Sequence, residues 1–143
     1  MYHTLIVVGN LGRDPEMRYM PDGTAVTNLS VATSRRWTDR NSGEPREETI
    51  WFRVSVWGKQ AETVNQYLSK GRPVIVEGVL QADPDTGGPR LFTRQDGTVG
   101  SSYEMRAFTV RFVSGAGRDD SYESGDSYDS GSQAAEEEDD IPF

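Results

Sequence analysis

Residues 49–59 read TIWFRVSVWGK. Successive side chains of a strand point to opposite faces, so Ile50, Phe52, Val54 and Val56 share one face. Thr49, Trp51, Arg53, Ser55 and Trp57 share the other. The first face is an ordinary strand interior. The second is unusual, because a half-buried strand turns polar groups to water, and this one carries two indoles with a guanidinium between them. Such a stripe suits a planar, anionic, aromatic ligand, with indole for stacking and Arg for phosphate. Single-stranded nucleic acid has both properties. A competing reading packs Trp51 and Trp57 under a loop or in a subunit interface, and the rest of the chain has to decide between the two.

At 143 residues the chain has room for one domain with a core of ordinary size. No run approaches the roughly 18 apolar residues of a membrane span. The start, MYHTLIVVGN, has no basic segment before its apolar run and does not read as a secretory signal. Without cysteine there is no disulfide framework, thiolate nucleophile or Cys-ligated zinc, and the cytoplasm is the default location. The net charge of −8 looks wrong for a nucleic-acid binder until the chain is divided. Residues 1–113 hold 14 Lys and Arg against 13 Asp and Glu, a net +1, whereas residues 114–143 hold one Arg against 10 acids, a net −9. The domain is near neutral and the acidity sits in the tail, so only the placement of charge bears on function.

The chain reads as strand, strand, strand, helix, strand, strand. Residues 4–8, TLIVV, form a β-branched run that closes at Gly9, Asn10 and Gly12, a strand that bends or bulges. Residues 16–20 continue it into the turn Pro21-Asp22-Gly23, and residues 24–33 follow as the second strand. That strand runs through Arg35, Arg36 and Trp37 into a polar loop, TDRNSGEPRE. After the opening strand, Gly58 breaks the pattern. Residues 60–68 form a short helix with Ala61, Val64 and Leu68 as its apolar face, ended by Lys70 as a basic last turn and Gly71 as C-cap. Residues 74–80 are the fourth strand, with Gly78 at a bend or bulge. A long hairpin follows, in which Arg90, Phe92 and Arg94 lie on one side of an extended segment. Residues 103–113 are the fifth strand, with Phe108, Val110 and Phe112 on one face. One helix between strands three and four fits an all-β fold, a five-stranded OB barrel, with a half-open β-sandwich as the alternative.

From Ser114 the composition turns to Gly, Ser and acid, which cannot form a core, so residues 114–138 read as a disordered linker. The tip differs. Asp139, Asp140, Ile141, Pro142 and Phe143 place two apolar side chains and a stiff Pro after an acid run, which suits a short peptide ligand for another protein. The bland alternative is a solubility tail with a chance apolar end.

Taken together, IVVGNLGRDPEMRYMPDGTAVTNLSVATSRRW, WFRVSVWGK, YLSKGRPVIVEG and the acidic tail ending in DDIPF resemble the bacterial single-stranded DNA-binding proteins. The likeness covers most of residues 3–113, departs in the hairpin at 84–101, and resumes at the tip. It implies an OB-fold domain over residues 1–113 that assembles as a homotetramer with DNA wrapped around it. It implies stacking at Trp37, Trp51, Trp57 and Phe92, with Trp57 where the family often has Phe and Phe92 where it often has Trp. It further implies that residues 139–143 dock onto proteins of replication, recombination and repair, in a cytoplasmic, nucleoid-associated setting.

Phosphate contacts are expected from Arg53 and Lys59 beside the indoles. Arg36, Lys70, Arg72, Arg90 and Arg94 are lesser candidates, each also readable as a solvated surface charge. Neither catalysis nor a cofactor nor a metal is expected. The single histidine, His3, lies near the N-terminus, and no phosphate-cradling Gly-rich loop, His-Glu zinc pattern or nucleophile elbow occurs. A single-stranded RNA chaperone is the closest rival, since the same barrel and rings would serve it. A purely structural β-domain with a recruitment tail is the third reading.

Overall fold

The computed structural model describes residues 1–113, and the linker at 114–138 and the tip at 139–143 lie outside the described residues. In chain order the elements are β1 (Leu5–Leu11), β2 (Glu16–Tyr19), β3 (Ala25–Thr38), β4 (Pro45–Trp57), α1 (Lys59–Tyr67), β5 (Pro73–Gln81), β6 (Arg90–Thr93) and β7 (Val99–Phe112). The strand β1 pairs along one edge with β5 and, at Asn10 and Leu11, along the other with β3. That second pairing closes a ring, β1–β5–β7–β4–β3, and excludes the half-open sandwich. All its pairings are antiparallel except β4 with β7, where Phe52 lies beside Tyr103 and Ser55 beside Arg106. The two short strands stand outside the ring, β2 on β3 and β6 on β7. This is the five-stranded OB barrel.

The inward faces supply the core. Val54 and Val56 of β4 are buried as their alternation requires, together with Val7, Leu29, Val31, Val74, Val76 and Met105. Each such side chain contributes about 1.5–3 kcal/mol by leaving water. Ala61, Val64 and Leu68 join this core from α1 and its C-cap. Buried Thr27 donates its hydroxyl to the Ala61 carbonyl at 2.8 Å, which satisfies both groups.

Turn chemistry repeats. Asp22-Gly23-Thr24 and Asp96-Gly97-Thr98 make the same tight turn, with the Thr main-chain N–H on the Asp carboxylate at 2.9 and 3.0 Å and glycine at φ 86° and 83°. These bonds hold both carboxyls below the usual carboxylate range. The Thr24 N–H is the main cause for Asp22, and the Thr98 hydroxyl for Asp96. Asp39 to Gly43 and Asp83 to Gly87 form a second matching pair, each closed by the Gly N–H on the Asp carbonyl at 2.8 Å.

Four expectations need correction. The expected loop after Trp37 is mostly strand: β3 reaches Thr38, β4 begins at Pro45, and the two form a projecting finger. Its strands hold together without a core because opposite residues pair by charge and hydroxyl. Arg35 meets Glu48 at 3.4 Å, Arg36 meets Glu47 at 3.3 Å and Ser34 meets Thr49 at 3.0 Å. The helix stops at Tyr67 with Leu68 extended at its C-cap, so Lys70 and Gly71 do not end it. They belong instead to a turn tied to β1 and to Asp14, whose carboxylate accepts the Lys70 N–H at 2.8 Å. The fifth strand begins earlier than expected, at Val99. Finally, Phe108, Val110 and Phe112 do not form one core face. Gly78 lies opposite Ala107 and Glu77 opposite Thr109, which leaves Phe108 as the extra residue of a bulge. Met105 and Ala107 face the core before it, and Phe108 is exposed. The Gln60 side chain patches the interruption, accepting from the Val110 N–H at 2.9 Å and donating to the Phe108 carbonyl at 3.2 Å.

Candidate nucleic-acid interface

The outward face of β4 keeps the alternation that made residues 49–59 unusual. Trp51 is 52 % exposed, Trp57 38 %, Trp37 42 % and Phe92 45 %. Rings this open are not anchors of the core, so the reading that packs them under a loop within the subunit fails.

Two of the four rings rest on glycines. Trp51 reaches Gly12 at the end of β1, where a Cβ would stand 2.3 Å from its Cζ3. Phe92 of β6 covers Gly100 of β7, its cross-strand partner, where a Cβ would stand 2.6 Å from its Cζ. Only a residue without a side chain lets an aromatic ring lie against the main chain at these points. Three rings also carry a guanidinium: Arg35 over Trp37 at 4.7 Å, Arg94 over Phe92 at 5.6 Å and Arg106 over Trp57 at 6.0 Å.

The basic candidates fall into groups. Arg53, Trp57 and Arg90 line one open cleft of about 180 Å³, together with Arg18. Arg94 braces the β6–β7 turn, donating to the Thr98 hydroxyl and the Val99 carbonyl at 3.3 Å each. Lys70 and Arg72 sit in the turn bonded to Leu11, whose N–H donates to the Arg72 carbonyl at 3.0 Å, next to the glycine under Trp51. Lys59 opens α1 and is exposed. Arg36 is not brought to Trp37. It lies on the other face of the finger, the one continuous with Trp51 and Arg53, and holds Glu47.

Four residues of this surface were not singled out by sequence reasoning. Arg35, two before Trp37, shares its face, and the period of two that picked out Trp51 and Trp57 would have favoured it over Arg36. Arg106 and Glu104 flank the buried Met105 and point outward by the same rule. Arg18 lies on the short strand β2, where only the register of pairing brings it to the cleft.

A closed five-stranded barrel with exposed aromatic rings and guanidiniums beside them defines the class of OB-fold nucleic-acid-binding proteins. Within that class, the single-strand binding protein family model matches residues 2–113, and the chain belongs to that family of non-enzymatic DNA-binding proteins. Solved structures agree. A deletion mutant of the single-stranded DNA binding protein from Thermus aquaticus is 32% identical with a TM-score of 0.60 over 80% of this chain, which spans only 52% of that protein. The Plasmodium falciparum SSB, solved in complex with ssDNA, is 24% identical with a TM-score of 0.62, covering 79% of this chain and 96% of that one. The small single-stranded DNA-binding protein from Streptomyces coelicolor is 23% identical with a TM-score of 0.62, covering 78% and 94%.

Proposed function

We propose that this protein binds single-stranded DNA without sequence preference, stacking bases on Trp37, Trp51, Trp57 and Phe92 and meeting phosphates with Arg53, Lys59 and the arginines beside the rings. The observation that carries the reading is that all four rings are exposed and each lies against a glycine or beside a guanidinium. Stacking is worth about 1–3 kcal/mol per base, so four platforms supply roughly 4–12 kcal/mol before the cost of ordering a flexible strand. Every base has a π face, which makes the binding tolerant of sequence. Duplex DNA stacks its own bases and offers these rings nothing. The test compares oligo(dT) with a duplex of equal phosphate number at two salt concentrations. Preference for the single strand at both supports stacking, and equal affinities that vanish together with salt would reduce the protein to a charge binder.

Charge placement sets the expected salt dependence. Each phosphate neutralised adds about 0.7 to the log–log slope on a single strand. Arg35, Arg36 and Arg90 already hold carboxylates at 3.3–3.6 Å, so they bind phosphate only by exchanging one anion for another. The slope should therefore be shallower than about 0.7 for each basic side chain near the rings.

The apolar outer face of β1 and β5 supports the homotetramer that the resemblance implies. Ile6 and Val8 are 62 % and 60 % exposed, and Ile75 lies directly opposite Val8. The tail has two roles in this reading. Residues 139–143 recruit proteins of replication, recombination and repair, and the −9 charge of residues 114–143 competes with DNA from a short tether. Deleting residues 114–143 should tighten DNA binding several-fold at low salt and abolish partner recruitment, measured by fluorescence anisotropy and pull-down. Unchanged low-salt affinity would remove the competition role.

A further inference from the structure

A carboxylate is an odd group to find on a face that meets a polyanion. Glu104 stands there nonetheless, between Arg53 of β4 and Gln81 of β5, its direct neighbours in the register. Ser30 continues the row on β3, and Asn28, Ser55 and Arg106 form the next row toward Trp57. The cleft above these rows has a volume of about 180 Å³, room for one planar base, with the Trp57 indole as a wall. Its lining pairs guanidiniums with groups of a different kind. Asn28, Ser55, Gln81 and Glu104 offer two amides, a hydroxyl and a carboxylate, all able to meet base edges, and the carboxylate, an acceptor only, has no bond to offer a phosphate.

The carboxylate is held in place. Arg90 Nη1 lies 3.6 Å from Oε1, and the Ser102 hydroxyl is 3.5 Å from the same oxygen. Its side chain is only 20% exposed. Both contacts fall on Oε1, and an ionised carboxylate has about four acceptor sites, so capacity remains for a donor from the ligand.

We propose that this cleft is a base-edge subsite in which Glu104 accepts a hydrogen bond from the exocyclic amino group of a base stacked on Trp57. It rests on the single-strand stacking mode proposed above. A carboxylate accepts from the N4 amino group of cytosine, whereas uracil and thymine place O4 there, an acceptor facing an acceptor. Glu104 thus biases an otherwise sequence-tolerant surface toward amino-bearing bases and against thymine.

The test measures full-length protein and its Glu104→Gln variant against oligo(dC) and oligo(dU) of equal length at mildly alkaline pH. These oligomers lack the thymine methyl and differ only on the edge in question. A glutamine can donate to O4 as well as accept from N4. The dC-to-dU affinity ratio should therefore fall on the order of tenfold, mainly through a gain for dU. Lys59→Gln, which removes a positive charge outside the cleft and leaves Glu104 and its partners untouched, should weaken both oligomers and leave the ratio in place. An equal gain for both oligomers in Glu104→Gln would mean mere relief of repulsion and would overturn the proposal, as would an unchanged ratio. If the unaltered protein bound neither oligomer, the single-strand reading would fall first and take the subsite with it.

Discussion

Replacing Trp51 and Trp57 together by alanine is expected to weaken binding of oligo(dT) by about 2–6 kcal/mol, that is roughly 30-fold to 10⁴-fold. Both rings project from one strand on the side away from the core, so their loss removes two platforms without opening a cavity. The midpoint of thermal unfolding should move little, as for other surface substitutions. Anisotropy titration gives the first quantity and circular dichroism the second. A related substitution separates ring position from ring presence. Gly12→Ala places a methyl 2.3 Å from the Trp51 ring, which must swing aside because it is the free end of a side chain. The expected loss is at most that of Trp51→Ala alone, about 1–3 kcal/mol, with the indole still present. Full affinity in the double tryptophan variant would remove stacking from the mechanism.

Gly78→Ala is expected to damage the fold rather than the surface. A Cβ at Gly78 would stand 2.0 Å from the Arg106 carbonyl oxygen and 2.9 Å from the Ala107 Cα. These are main-chain atoms with no rotamer to escape to, so β5 and β7 must separate at the bulge. Overpacking of this kind costs typically about 1–3 kcal/mol and occasionally more. With no side chain able to yield, the expected loss is at the upper end, a large part of the roughly 5–15 kcal/mol that holds a domain together. Urea unfolding followed by circular dichroism measures it as a lowered midpoint. Binding should weaken as well, since Arg106, Glu104 and Gln81 take their positions from this pairing. An unchanged midpoint would show that the strands can part here at little cost.

The contrast between these glycines marks what the sequence could reveal. The alternation of TIWFRVSVWGK exposed the indoles because a period of two sorts side chains by face before any tertiary contact forms. Gly78 was legible as a break in a strand. Its consequence on the partner strand was not, because Phe108, Val110 and Phe112 form a regular pattern that only the bulge disrupts. The finger reads as loop in the sequence because residues 38–47 carry no apolar face. Both its sides are solvated, and the register of Arg35 with Glu48 and Arg36 with Glu47 replaces hydrophobic pairing. The glycines under Trp51 and Phe92 gave no sign of their role, since the rings come from other strands. Glu104 is a single acidic residue in a strand, with no local signal at all. Only the meeting of β4, β7 and β5 gives it neighbours.

Tryptophan fluorescence during titration with poly(dT), and then with duplex DNA of equal charge, tests the stacking mechanism most directly. Strong quenching by the single strand alone, persisting at moderate salt, is the expected result. No quenching by either polymer would contradict stacking on Trp37, Trp51 and Trp57.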